Sequence, residues 1–242
     1  MKLNCDLGES FGAWQMPVDA DIMKFIDQAN IACGFHAGDP VVMKQALYLA
    51  KNSNVEIGAH PSYPDLQGFG RRSLAMPIKE LIACVQYQVS ALMGMASIVG
   101  VPVSYVKPHG ALYNDMMLDP QVRTAVMQAV GSINKGRLGL MVQSHAHNEA
   151  LVLEAQEYGL TLIFEAFSDR RYTDEGFLQP RSQEGAVLTA AEALTQAKLL
   201  IEDGEVVTVS GQRLPLQADT LCVHGDTAGA VEIAQQIREC MK

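Results

Sequence analysis

Residues 103–114 read VSYVKPHGALYN, an apolar, β-branched run that gives way at once to Lys107, Pro108, His109 and Gly110. A buried strand that ends on an ammonium and an imidazole is what a chain makes when the strand end opens onto a functional surface. The arrangement recurs. Further strand candidates lie at KLNCDLG from Lys2, ANIACG from Ala29, VEIGAH from Val55, LGLMVQS from Leu138, TLIFEAF from Thr161 and TLCVHGD from Thr220. Their C-terminal ends carry Asp6 and Glu9, His36, His60, Ser144 and His145, Glu165 with Asp169 behind it, and His224 with Asp226.

Segments of helical period separate these runs. Leu81, Val85, Val89, Leu92 and Ala96 recur every three or four residues and predict one apolar stripe on a helix from about Pro77 to Val99. Asp39–Pro40 and Asp119–Pro120 have the form of an N-cap followed by a first-turn proline. The stretch 202–216, EDGEVVTVSGQRLPL, reads as a helix end and a small β excursion. Strict alternation of strand and helix predicts parallel strands with right-handed crossovers, and so many units favour a closed β/α barrel over an open sheet. Residues 1–242 are expected as one barrel domain of seven parallel strands, whose C-terminal ends bring the polar groups to one face.

Composition narrows the function classes. A net charge of −9 with no basic run argues against nucleic acid and anionic membrane as partners. No uninterrupted apolar run approaches the roughly 18 residues of a membrane span. The start MKLNCDLGES meets a carboxylate by Asp6 and lacks the apolar centre of a secretory signal, so a cytoplasmic protein is expected. Five scattered cysteines without a C-x-x-C pair suggest neither a disulfide framework nor a structural zinc site.

Each polar group also has a plain structural reading. A single histidine after a strand is commonly a satisfied polar residue, and Asp39 and Asp226 suit helix caps as well as function. His145 and His147 in QSHAHNEA read as a helix start. Against this, His36, His60, His109 and His224 all stand at strand ends, with His109 and His224 directly before glycine and His36 two residues from one on either side. Arg170 or Arg171 near such a cleft would suit a substrate carboxylate. Residues 58–72, GAHPSYPDLQGFGRR, form either a lid or a long connection. Lysine, histidines and carboxylates without a serine elbow point to general acid/base catalysis on a polarised carbonyl. GSINKGRL from Gly131 has the glycine spacing of a phosphate loop but not its Lys-Ser/Thr ending. Imidazole and carboxylate would also suit a divalent metal, but the compact H-x-x-x-H spacing is absent, so a metal is not favoured and no ligand is assigned.

The motifs LNCDLGE, ANIACGFHAGDP, GAHPSYPDLQGFGRR, VKPHGALYN, EAFSDRRY, LQPR and CVHGD, in that order from Leu3 to Asp226, resemble the LamB/YcsF family. Two departures are mild: Cys5 where the family usually has alanine, and Gln179 where its motif has valine. The resemblance implies a barrel of the glycoside hydrolase/deacetylase type that works with two partner subunits, B and C, as an ATP-dependent 5-oxoprolinase, ATP being a co-substrate. It further implies catalytic roles among Asp6, Glu9, His60, Lys107 and His109. Asp6 or His60 would serve as base, and Lys107 and His109 would stabilise charge on the carbonyl. Substrate binding would fall to His36, Glu165, Asp169, Arg170, Arg181, His224 and Asp226, with Arg170 or Arg181 on the substrate carboxylate. The same residues leave open a metal-dependent deacetylase or amidohydrolase, and a non-catalytic substrate-binding subunit.

Overall fold

A computed structural model describes residues 1–16, 18–133, 137–145, 148–181, 183–225 and 229–241. Asp226, His147 and the middle of the 131–138 stretch lie outside the described residues. The elements run β1 (Lys2–Leu7), α1 (Asp19–Ile22), β2 (Gln28–Ala32), α2 (Pro40–Ser53), β3 (Glu56–His60), α3 (Ile78–Val99), β4 (Tyr105–Val106), α4 (Gly110–Leu118) and α5 (Pro120–Ser132). They continue with β5 (Gly139–Gln143), α6 (Asn148–Gln156), β6 (Leu162–Phe167), α7 (Ala190–Glu202), β7 (Glu205–Val207), β8 (Arg213–Pro215), β9 (Thr220–His224) and α8 (Ala230–Cys240).

Strands β1 to β6 and β9 pair in parallel and close a barrel, β9 bonding to both β1 and β6. The 202–216 excursion is the antiparallel β7–β8 hairpin. Each barrel strand has two buried faces of different character. Leu3, Cys5, Ile31, Ile57, Val106, Leu140, Val142, Leu221 and Val223 are buried in the apolar shell under the helices. The alternate residues meet inside the barrel, where Asn30 Nδ2 bonds Asn4 Oδ1 at 2.8 Å and Tyr105 Oη donates to Asn30 Oδ1 at 2.7 Å. Gly58 is required there: a Cβ on it would stand 2.1 Å from the Tyr105 ring.

The helices form where local chemistry directs them. The Asp39 carboxylate accepts from Val41 N and Val42 N, and Asp119 accepts from Gln121 N, each with proline in the first turn. In α3 the stripe Leu81, Val85, Val89, Leu92 and Ala96 is buried as its spacing predicts, each leucine contributing on the order of 2 kcal/mol. Gln88 shares that face because its side chain bonds both the Ser62 N–H and the Ser62 carbonyl. Among the described residues α3, with 22 residues and a mean hydropathy of 1.5, is long and apolar enough to cross a membrane. Here that stripe lies against the barrel.

Candidate active site

The strand ends open into a cleft of about 260 Å³. Asp6, Glu9, His60, Lys107, His109, Arg170, Arg181 and His224 line it. His36, Glu165 and Asp169 lie one layer behind, each at most 2% exposed and bonded to a residue that does line it. The fifth strand end contributes nothing ionisable among the described residues. Gln143 Nε2 turns to the Gly176 carbonyl, and Ser144 Oγ to the Gln217 carbonyl.

Lys107 organises the floor. Its Nζ stands 2.8 Å from Asp6 Oδ1, 2.8 Å from Glu165 Oε1 and 3.3 Å from Cys222 Sγ. Burial would depress the ammonium, but Asp6, Cys222 and Glu165 outweigh it and hold it well above the usual lysine range. Burial would likewise raise Asp6, yet His60 and Lys107 hold its carboxyl well below the usual range. At neutral pH the floor therefore presents a fixed carboxylate at the mouth of a buried ion pair. Asn30 Nδ2 adds a second bond to Asp6 Oδ1 at 2.8 Å. The Lys107 amine, 2% exposed, is committed to this network and would act on a substrate through Asp6.

The histidines are set from several elements. His60 Nδ1 lies 2.7 Å from the Lys107 carbonyl, and His109 Nε2 lies 2.8 Å from the Phe69 carbonyl. His36 stacks on His109 with centroids 3.8 Å apart and planes within 3°. Burial, together with the neighbouring rings, holds His36 and His109 well below the usual histidine range, so both are neutral. Gly110 makes the approach possible: it has φ +58°, and a Cβ there would stand 2.5 Å from the Gly70 carbonyl. Residues 61–72 act as a wall in this structure. His109 N bonds Pro61 O, Ala111 N bonds Gly70 O, and Tyr63 Oη donates to Asp115.

The opposite wall is cationic. Arg170 Nη2 bonds the Gln179 carbonyl at 2.6 Å, while its buried Nε has no hydrogen-bond partner. Burial, with Arg181 beside it, pushes Arg170 down to about 10, still charged at neutral pH. Arg71 and Arg181 line the same rim. His224 Nδ1 lies 2.9 Å from the Asp169 carboxylate, which is held below its ordinary range because His224 and the arginines outweigh burial.

Sequence reasoning did not assign Arg71, Phe167, Asn4, Asn30, Tyr113 or Cys222. Arg71 follows the positive-φ pair Phe69–Gly70, a signal for a tight loop over the mouth. Tyr113 Oη reaches Glu165 Oε2 at 2.7 Å, with no spacing to announce it. Donor atoms of Glu9, His36, His60 and His109 lie within 4.8 Å of one another, close enough to hold one metal ion.

Comparison with known proteins agrees with this architecture. The LamB/YcsF family profile matches residues 1–242. A protein of Vibrio cholerae, named as the A component of 5-oxoprolinase, is 51% identical over 242 residues, spanning all of this chain and 97% of that one. A Pseudomonas fluorescens protein of the same name is 51% identical over 242 residues and 96% of its length. The crystal structure of a lactam utilization protein from Thermus thermophilus superposes with a TM-score of 0.90 at 39% identity, covering 100% of this chain and 95% of that one. A putative cellobiose-phosphate cleavage protein of Enterococcus faecalis, 13% identical with a TM-score of 0.54, shares the fold.

Proposed function

The chain belongs to the LamB/YcsF family, and on that premise we propose that it is the lactam-binding component of an ATP-dependent 5-oxoprolinase. The reaction opens 5-oxo-L-proline to L-glutamate with hydrolysis of ATP to ADP and phosphate, in a complex with two partner subunits, B and C. The relatives' names and the polarity of the cleft support this reading.

Resonance makes a lactam carbonyl a poor electrophile. Phosphoryl transfer from ATP to the lactam oxygen makes the ring carbon electrophilic; water adds there, the tetrahedral adduct expels the ring nitrogen as an amine to leave an acyl phosphate, and a second water releases phosphate and the free carboxylate. A cleft of about 260 Å³ is below the range of about 300–1,000 Å³ typical for drug-sized ligands, so it suits a small ring better than a ring and a nucleotide together. The nucleotide is accordingly assigned to a site completed by the partners. In this reading the substrate carboxylate pairs with Arg181 and with the unpartnered Nε of Arg170, and the lactam carbonyl points at the floor. Asp6, held ionised, accepts the proton of the attacking water, and His60 beside it orients that carboxylate.

The observation that carries the reading is an ionised carboxylate, Asp6, on the floor of a cleft whose rim carries Arg170 and Arg181. The test is glutamate formation from 5-oxoproline and ATP by the chain alone, by the chain with both partners, and by the complex carrying Arg181→Ala. Turnover is expected only in the complex. Loss of one charge-assisted pair, roughly 1.5–3 kcal/mol, should raise KM for 5-oxoproline by about tenfold to a hundredfold. An unchanged KM overturns the assignment of the rim.

A further inference from the structure

One contact in the cluster of Glu9, His36, His60 and His109 is not an ordinary hydrogen bond. His60 Nδ1 and His109 Nε2 each face a backbone carbonyl, at 2.7 and 2.8 Å, and a carbonyl only accepts. Each of those nitrogens therefore carries its ring's proton. With one proton on each ring, His60 Nε2 and His109 Nδ1 are left as lone-pair nitrogens, yet they face each other at 2.9 Å, and Asp6 Oδ2 lies 3.3 Å from the same His60 nitrogen. In that state neither ring has a proton to give. Glu9 Oε1 brings another lone pair 3.5 Å from His109 Nδ1, and His36 Nε2 stands 3.2 Å from the same oxygen.

Lone pairs crowd like this around a cation. Bonds of about 2.0–2.1 Å in a tetrahedral zinc site separate the ligand atoms by about 3.3 Å; three of the contacts here run from 2.9 to 3.5 Å, and all the donor atoms lie within 4.8 Å of one another. Pinning the far ring nitrogen to a carbonyl is also how metal-bound imidazoles are oriented. A second group, Asp6, Cys222 and His224, also gathers donor atoms within 4.8 Å. There the Lys107 ammonium already stands 2.8 Å from Asp6 and 3.3 Å from Cys222, and burial holds the thiol well above its usual range.

We propose that Glu9, His60 and His109 bind one divalent transition-metal ion at the cleft floor with a further coordination position left open, zinc being the best match to two imidazoles and a carboxylate, while His36, stacked flat on His109, packs beside the site. The donors come from the ends of three strands far apart in sequence, which explains why no compact motif marks them. Metal binding here does not depend on the lactam reading.

The chelator-treated chain is titrated with zinc chloride and, separately, cobalt chloride. Metal is counted by mass spectrometry after gel filtration, cobalt d–d absorption is recorded, and melting is followed with and without zinc. About one ion per chain, visible cobalt bands and a zinc-dependent rise in Tm are expected. Glu9→Gln and His109→Ala should each weaken binding by about 100-fold or more, and Cys222→Ser should leave it intact. Far-UV circular dichroism of the metal-free variants checks folding, and if His109→Ala does not fold, Glu9→Gln carries the comparison. Less than about 0.1 ion per folded wild-type chain with both metals overturns the site and assigns the 2.9 Å contact to a proton shared between imidazole and imidazolium. Binding that survives His109→Ala but is lost in Cys222→Ser overturns it as well.

Discussion

Replacing Lys107 by methionine tests whether one buried ammonium holds the barrel's polar interior together. Methionine keeps an unbranched stem and removes the charge. In the wild type Nζ lies 2.8 Å from each of two carboxylates, Asp6 and Glu165, and Lys107, Asp6 and Glu165 are 2, 8 and 0% exposed. Deleting one partner of a buried pair leaves uncompensated charge and costs about 3–5 kcal/mol. For a chain of this size that corresponds to a fall in Tm of about 6–20 °C. Glu165→Gln alone should cost less, because Asp6 still holds the ammonium and Tyr113 can still donate to residue 165. In the double variant the second uncompensated carboxylate is gone, so the two losses should fall short of adding by about 1–3 kcal/mol. Urea unfolding of the four proteins, followed by far-UV circular dichroism at about pH 7.5, measures the cycle. Losses that add to within about 0.5 kcal/mol would refute the claim that this ammonium neutralises Glu165.

Three further substitutions probe the scaffold. Burial raises Asp19 to about 6, the bond from Gly8 N–H offsetting it only in part. Because the folded value lies above the unfolded one, the native state binds the extra proton between about pH 4 and 6, and stability falls as pH rises through that window. Asp19→Asn should therefore raise stability at about pH 8 by about 1–2 kcal/mol, after discounting for partial exposure, and lose that advantage by about pH 4.5. Equal effects on Tm at both pH values would show that Asp19 does not titrate this way. Gly58→Ala places a methyl 2.1 Å from the Tyr105 ring inside the barrel and should cost more than about 2 kcal/mol, whereas Gly94→Ala, with nothing within 4 Å on the outer face of α3, should gain up to about 1 kcal/mol. Similar melting temperatures for the two alanine variants would contradict the packing described for the barrel interior.

What the sequence made legible was the outside of the barrel. Leu3, Cys5, Ile31, Val106 and Val223 pack against helices, so each strand shows an apolar run, and Asp39–Pro40 and Asp119–Pro120 mark helix starts by local hydrogen bonding. Of the twelve expected residues eight line the cleft and three lie immediately behind it, with Asp226 outside the described residues; the strand-end rule accounts for all but Arg170, read as a partner for a carboxylate, and Arg181, which came with the family motif. The inside was much less legible. Asn4, Asn30, Tyr105 and Lys107 meet across the barrel from positions up to 103 residues apart, and no local period reports such a meeting. Ser144 and His145 satisfied the same strand-end rule and yet stayed out, because Ser144 is taken by Gln217 and His145 N by Asn148. The carbonyls of Phe69 and Lys107, which fix the tautomers of His109 and His60, are backbone atoms whose role no side-chain pattern encodes.

The cleft is polarised from floor to rim, and this has consequences for any ligand. On the floor one ammonium lies among the carboxyl groups of Asp6, Glu9 and Glu165 and the imidazoles of His36 and His109, which burial keeps neutral. A cation is stabilised there, and a second anion is not. At the rim Arg71, Arg170 and Arg181 gather near Asp169 and its partner His224, and three guanidinium groups in one cleft favour an anion. A small molecule with a carboxylate at one end and a carbonyl at the other would therefore enter carbonyl first, with its charge left among the guanidinium groups. Reversing the ligand sets its carboxylate against Asp6 and Glu9 in a low-dielectric pocket, where like charges a few ångströms apart cost several kcal/mol. Orientation is thus imposed by the charge layout of the cleft before any specific hydrogen bond forms. Exchanging Arg181 for glutamate should abolish capture of such an anion, whereas a neutral glutamine should only weaken it, and calorimetric titration of the two variants with 5-oxoproline separates the outcomes.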